Sequence, residues 1–335
     1  MATALTNPAQ FKAIADAIRA KTGLTGTIKA SEFASKIAAI PTGVEKPKWI
    51  RSTLPTADSW VSVCYGGGKF VAIAFEGSAA YSTDGINWTQ STLPTATDSA
   101  SWQSVCYGRG KFVAIASYSS IAAYSTDGIN WTQTTLLAST YLTWQSVCYG
   151  KGKFVVIAND DTAGGYSTDG INWTKATLPV SAPWESVCYG GGKFVAMAGN
   201  SNIAAYSADG INWTQITLPI SANWRSVCYG NGKFVATTYD NNIAIYSTDG
   251  INWTQTTLPV SANWESVCYG NDKFVAVAHA RNFAAYSTDG INWSEITMLA
   301  VASWESICYG GGKFVAVNSG SQYVVCLKDS FDEWA

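Results

Sequence analysis

Apolar and polar positions recur in this chain with a long period and a short one inside it. From Trp60 onward each unit reads W-x-S-V-C-Y-G, a Gly-rich turn, K-F-V-A-x-x, a variable stretch, A-A-Y-S, T-D-G-I-N and W-T-Q-x-T-L. Short runs of Val, Tyr, Phe, Trp and Thr between Gly and Asp-Gly turns predict four β-strands per unit, a to d, and nothing in the unit has helical period. Cys64, Cys106, Cys148, Cys188, Cys228, Cys268 and Cys308 mark one place in successive units, spaced 42, 42, 40, 40, 40 and 40 residues. A period near 40 in an all-β unit is that of propeller blades.

The chain ends sharpen this reading. After Cys308 the last unit passes Val324 and Cys326 and ends at Trp334-Ala335 without a strand d. The missing piece stands at the other end, where Lys48-Trp49-Ile50-Arg51-Ser52-Thr53-Leu54-Pro55 matches the NWTQTTLP of internal units. A ring explains the split, because the N-terminal segment can pair into the last blade. The expected fold is all-β: a seven-bladed β-propeller of four-stranded blades over residues 46–335, closed by an N-terminal strand. Residues 1–45 predict a small helical hairpin, with Asn7 as cap, Pro8 at the first helical position, Phe11, Ile14, Ala15 and Ile18 on one face, and a second helix from Ser31 to Ile40. Such short helices are marginal alone, so this segment is read as a docking or oligomerisation element, or a simple cap.

YSTDGINWT recurs six times with small edits, from Tyr81, Tyr124, Tyr166, Tyr206, Tyr246 and Tyr286. Its Asp (Asp84, Asp127, Asp169, Asp209, Asp249, Asp289) is expected to accept backbone N–H groups in a tight turn, and its Trp to open strand d as a buried anchor. Active sites need unlike residues converging on one place, whereas this motif sets identical residues around a ring, so the Asp is read as structural. These turns resemble the Asp-box, or BNR, repeats of sialidase-like propellers, although Ser82-Thr83-Asp84-Gly85-Ile86-Asn87-Trp88 is one residue shorter than that family's S-x-D-x-G-x-T-W. The resemblance implies the propeller; the family's arginine triad has no counterpart, because Arg51, Arg109, Arg225 and Arg281 fall at different repeat positions.

The units disagree in the b–c loops, in the d–a connections, and at the residue after each strand-a Trp (Val61, Gln103, Gln145, Glu185, Arg225, Glu265, Glu305). Up-and-down topology puts all of these on one face. The candidate ligand-binding residues there are Tyr118, Tyr141, Asp160, Asp161, Glu185, Asn200, Asn202, Arg225, Tyr239, Asp240, Asn241, Glu265, His279, Arg281 and Glu305. Neutral drift of surface loops is the alternative.

Composition trims the functional classes. Only 13% of residues are charged and the formal net charge is −2, so no nucleic-acid partner is expected. No apolar run reaches membrane-span length and no secretory signal opens the chain, which points to synthesis in a cytoplasm. The repeated cysteines are read as reduced, small apolar side chains. His279 is the only histidine and is read as solvated; no catalytic residue, cofactor or metal is assigned. Asp160-Asp161 and Asp240-Asn241-Asn242 each offer too few oxygens for calcium.

The stretch FKAIADAIRAKTGLTGTIKASEFASKIAAI is similar to the leading segments of bacteriophage tail proteins. That resemblance implies attachment to other tail proteins through residues 1–45, a virion-tail location, and a C-terminal domain facing the host. The leading expectation is a non-enzymatic receptor-binding protein that recognises a bacterial surface glycan or protein. The alternatives are a sialidase-like glycoside hydrolase or lyase using Glu185, Glu265 or Glu305, and a purely structural tail scaffold. An engineered or recently duplicated origin stays open.

Overall fold

The computed structural model describes Asp16 and residues 49–95, 101–137 and 142–328; the hairpin expected over residues 1–45 lies, Asp16 aside, outside them. The described chain is an all-β propeller of four-stranded antiparallel blades. β1 (Trp49–Asp58) precedes the first full unit, β2 (Trp60–Gly66), β3 (Lys69–Ala74), β4 (Ser78–Ser82) and β5 (Thr89–Thr92). The second unit is β6 (Ser101–Gly108), β7 (Lys111–Ser117), β8 (Ile121–Ser125) and β9 (Thr132–Thr135). Then follow β10 (Thr143–Gly150), β11 (Lys153–Ser167), β12 (Thr174–Gly190), β13 (Lys193–Ala198), β14 (Ser201–Ser207) and β15 (Thr214–Ala222). Next come β16 (Trp224–Gly230), β17 (Lys233–Thr238), β18 (Asn241–Ser247), β19 (Thr254–Ala262), β20 (Trp264–Gly270), β21 (Lys273–Ala278) and β22 (Arg281–Ser287). The last three are β23 (Ser294–Gly310), β24 (Lys313–Ser319) and β25 (Ser321–Lys328).

Three of the sheets are discrete, β2 to β5, β6 to β9 and β16 to β19. At two junctions strand d runs unbroken into the next strand a. β12 pairs with β11 through Thr174–Thr177 and with β13 through Trp184–Gly190, and β23 does the same between β22 and β24. These shared strands fuse neighbouring ladders into a six-stranded and a seven-stranded sheet. The b–c stretch of the third unit, read from sequence as a loop, is a bend inside β11. The split unit closes as its sequence implies: Trp49 pairs with Leu327, Arg51 with Val325 and Thr53 with Tyr323 across β1 and β25.

Strand b is mostly apolar after its opening Lys, FVAIA in β3, because neighbouring blades cover both of its faces; Phe70, Val71, Ala72, Ile73 and Ala74 are all buried, and where polar residues replace them, as at Thr237, Thr238 and Asn318, these are buried as well. The a–b hairpins turn on two successive residues with positive φ, such as Lys151 (46°) and Gly152 (76°). That geometry matches strand twist and favours Gly or Asn. Trp60, Trp102, Trp144, Trp184, Trp224, Trp264 and Trp304, which open strand a, are at most 1% exposed. The Trp of the DGINW turn differs from expectation: Trp88, Trp131, Trp173, Trp213, Trp253 and Trp293 are half-buried and strand d starts one residue later. The deep aromatic anchor of each blade is therefore the strand-a Trp.

Two sets of contacts lock the innermost strands to each other. Each Val or Ile of S-V-C donates its backbone N–H to the Ser Oγ of the preceding unit: Val105 to Ser62, Val147 to Ser104, Val187 to Ser146, Val227 to Ser186, Val267 to Ser226, Ile307 to Ser266, and Val63 to Ser306, at 3.1–3.3 Å. The Gly ending each strand a lies under the Tyr of the next unit. A Cβ on Gly66 would fall 1.9 Å from Tyr107 Cγ, and one on Gly310 the same distance from Tyr65 Cγ. Both sets return to their start, which makes the innermost layer a closed ring.

Candidate functional site

Each strand a carries a β-bulge just after its Trp. The register slips between Trp60 and Ser62, Trp102 and Ser104, Trp144 and Ser146, Trp184 and Ser186, Trp224 and Ser226, Trp264 and Ser266, and Trp304 and Ser306. A bulge leaves one residue outside the ladder and re-aims its side chain. That residue is the variable one, and Val61, Gln103, Gln145, Glu185, Arg225, Glu265 and Glu305 converge on a cavity of about 160 Å³ in the centre of the ring.

The polar members form a run of contacts from unit to unit. Glu185 accepts from Gln145 Nε2 at 2.9 Å, Asn159 Nδ2 at 2.8 Å and Arg225 Nη1 at 2.8 Å. Arg225 also donates from Nε to Glu265 Oε2 at 2.6 Å, and Glu265 is buried. Burial pushes the Glu185 carboxyl upward despite its three donors. For Arg225 burial acts downward, but Glu265 and Glu185 outweigh it and the guanidinium is held above its ordinary range. Glu305 is pushed up to about 7, by burial first and by the neighbouring Glu265 second, with Arg225 opposing.

A second tier sits at the residue after strand b. Asn159 there reaches Glu185, and His279 Nε2 lies 3.9 Å from Glu305 Oε1. Tyr239 shares a second cavity, about 260 Å³, with Glu185, Asn200, Asn223, Arg225 and Glu265. His279, read from sequence as solvated, is thus half-buried beside a carboxylate.

The structure gathers part of the sequence-predicted set. Glu185, Asn200, Arg225, Tyr239, Glu265 and Glu305 line the two cavities, with His279 at their edge. Asp161 and Asn241 use their side-chain oxygens on their own loops, accepting from Ala163 N at 3.0 Å and Ile243 N at 2.7 Å. Asp240 accepts weakly from Asn223 Nδ2 at 3.4 Å. Tyr118, Asp160, Asn202 and Arg281 are exposed outside both cavities, and Tyr141 lies outside the described residues. Asn159 and Asn223 were missed. The signal for Asn159 was its place directly after strand b, where the units read Phe75, Ser117, Asn159, Gly199, Tyr239, His279 and Ser319.

The turn aspartates accept hydrogen bonds from the backbone of their own turns. Asp127 Oδ1 accepts from Ile129 N and Asn130 N at 2.8 Å and from Ser125 Oγ at 2.9 Å, while Oδ2 accepts from Asn130 Nδ2 at 2.8 Å. The Asn130 N–H is the largest influence; burial opposes it, but the remaining donors hold the carboxyl well below the usual carboxylate range. Asp84, Asp169, Asp209, Asp249 and Asp289 are shifted the same way. The cysteines are free thiols, and burial pushes them upward.

No family model and no curated protein matches this chain. Solved structures do. A catalytically inactive virginiamycin B lyase from Staphylococcus aureus, with quinupristin, superposes with a TM-score of 0.75 at 13% identity, covering 84% of this chain and 99% of that one. YCF48 bound to D1 peptide gives 0.69 at 14%, covering 85% and 96%. The Pan2 WD40 domain of Neurospora crassa gives 0.67 at 11%, covering 86% and 98%. At these identities the likeness shows the fold, a β-propeller. The expectation of a non-enzyme is corrected: lyases stand among the similar structures, so this is an architecture on which enzymes are built and the exclusion does not hold.

Proposed function

We propose that the chain is a seven-bladed propeller of a bacteriophage tail whose axial mouth and surrounding loops recognise a bacterial surface glycan or protein. The seven Val/Ile-to-Ser hydrogen bonds support the blade count. The observation that carries the functional reading is the position of the variation: at the bulge after each strand-a Trp, otherwise near-identical units supply unlike residues, and Gln145, Glu185, Arg225, Glu265 and Glu305 meet around one cavity. Exposed Tyr118 and the exposed loop residues Asn200, Asn202 and Asp240 widen that surface. Residues 1–45 would dock onto other tail proteins or assemble copies of the chain. Binding of labelled full-length protein to a panel of bacterial cells tests this. The combined variant Tyr118→Ala, Tyr239→Ala, Arg225→Ala should lose most of the bound signal; undiminished binding overturns the assigned surface.

A second reading, catalysis by a lyase or hydrolase of the host envelope, is favoured by Glu305. A carboxyl raised to about 7 beside a second carboxylate and a histidine has the acidity a general acid or base needs near neutral pH. Release of low-mass sugar or peptide from envelope preparations, lost in Glu305→Gln, would establish it; no release sinks it.

A further inference from the structure

We infer that the axial cavity takes a cationic head group of its ligand, an alkylammonium or guanidinium, seated against Glu305. The inference rests on the reading of the mouth as the recognition site and adds the chemistry of what enters it. Arg225, the bulge residue of the unit between those of Glu185 and Glu265, shows how a cation is held at this mouth, with Nη1 on Glu185 and Nε on Glu265. Glu265 is followed round the ring directly by another carboxylate, Glu305, and among the described residues no cation stands between these two as Arg225 stands between Glu185 and Glu265. His279 stands 3.9 Å from Glu305, beyond hydrogen-bond reach, and on the far side Val61 brings no charge. The nearby hydroxyls of Ser62 and Ser306 already accept from Val105 and Val63.

Charge gives the same direction. Three carboxyl side chains, Glu185, Glu265 and Glu305, face one arginine around the mouth, and the focused field of a cleft with that imbalance favours a cation. At about 160 Å³ the cavity has room for a small organic head group. A metal ion is a poorer fit, because among the described residues no group of three His, Cys, Asp or Glu is placed to hold one. Protonation of Glu305 should release the ligand. Burial first and Glu265 on β20 second raise its hold on the proton, Arg225 on β16 opposes them, and His279 after β21 is the other titratable group facing it.

The test titrates full-length protein, labelled at glutamate carboxyl carbons, with methylguanidinium and propylammonium, and with urea and propanol as neutral counterparts. The carboxyl resonance absent in Glu305→Gln should shift saturably with the cations and not with the neutral compounds. Affinity should fall about tenfold per pH unit well below the midpoint of Glu305, and Glu305→Gln should bind at least tenfold more weakly while keeping its amide spectrum. Tighter methylguanidinium would point to an arginine-like ligand group, and tighter propylammonium to an amine. Equal shifts with neutral compounds, unchanged binding by Glu305→Gln, or displacement by equimolar calcium would overturn the inference. Cell binding that survives Glu305→Gln but is lost when Tyr118, Tyr239 and Arg225 are replaced would overturn it while leaving the recognition reading intact.

Discussion

Val63 donates its backbone N–H to Ser306 Oγ at 3.1 Å, across 243 positions of sequence. It is the same bond that joins every other pair of innermost strands, so the junction of first and last units is built like the rest. Beside it, Tyr65 covers Gly310 as Tyr269 covers Gly230. Ser306→Ala should cost about 1 kcal/mol, the worth of one hydrogen bond. Gly310→Ala, which drives a Cβ into an aromatic ring, should cost about 3 kcal/mol or more, and Gly230→Ala the same. Urea denaturation of the three variants checks whether the junction is as tight as an internal interface.

The DGINW turns make an acid-side prediction. Carboxyls depressed in the folded state contribute stability that is present above their unfolded value, about 3.9, and lost as pH falls below it. Stability from these six turns should therefore hold from neutral pH down to about pH 4 and decline below. Asp127→Ala, which leaves Ile129 N, Asn130 N and Asn130 Nδ2 without their acceptor, should cost about 1–3 kcal/mol at pH 7. Thermal melts across pH 2.5–7 read both effects.

Glu305 should behave oppositely. Its folded value, about 7, lies above the ordinary carboxyl value, so the folded state holds the proton more tightly. Stability linked to it is full below about pH 4.3 and lost as pH rises through 7. Glu305→Gln removes that loss. Each pH unit between the ordinary and the folded value is worth about 1.4 kcal/mol, so the gain at pH 8 should be about 1–3 kcal/mol, with little change at pH 4. Melts of both proteins at the two pH values decide it.

Arg225 is the single cation between two partly or fully buried carboxylates. Arg225→Ala should cost about 2–3 kcal/mol, at the lower end for a broken buried pair because the guanidinium is about one-third exposed. Adding Glu265→Gln should recover part of that loss, since the uncompensated charge goes with it. A double-mutant cycle in urea measures the coupling.

Much of the ring was legible from sequence because every unit repeats the same local instructions. The Gly-rich a–b turns, the K-F-V-A runs of strand b and the displaced Trp49 strand each predicted an element that is present. The depth of burial was less legible: the two tryptophans of a unit look alike in sequence, yet only the strand-a Trp is fully buried, in a core shared by its own unit and the preceding one. At the mouth, comparing units exposed the variable residue after that Trp, but not the bulge that aims it at the axis. The Asn159 to Glu185 and His279 to Glu305 contacts join different units, and no local pattern reports such pairings.

The most direct test of the central claim, that the axial mouth is the recognition site, compares two full-length variants for binding to the same panel of bacterial cells and envelope glycans. One carries Glu185→Gln, Arg225→Gln and Glu305→Gln at the mouth; the other carries Arg109→Gln and Lys151→Gln in a–b turns at the opposite end. With both folded, the mouth variant should lose at least tenfold in binding and the turn variant should match the parent. Equal binding by the mouth variant, or a greater loss in the turn variant, would contradict the account.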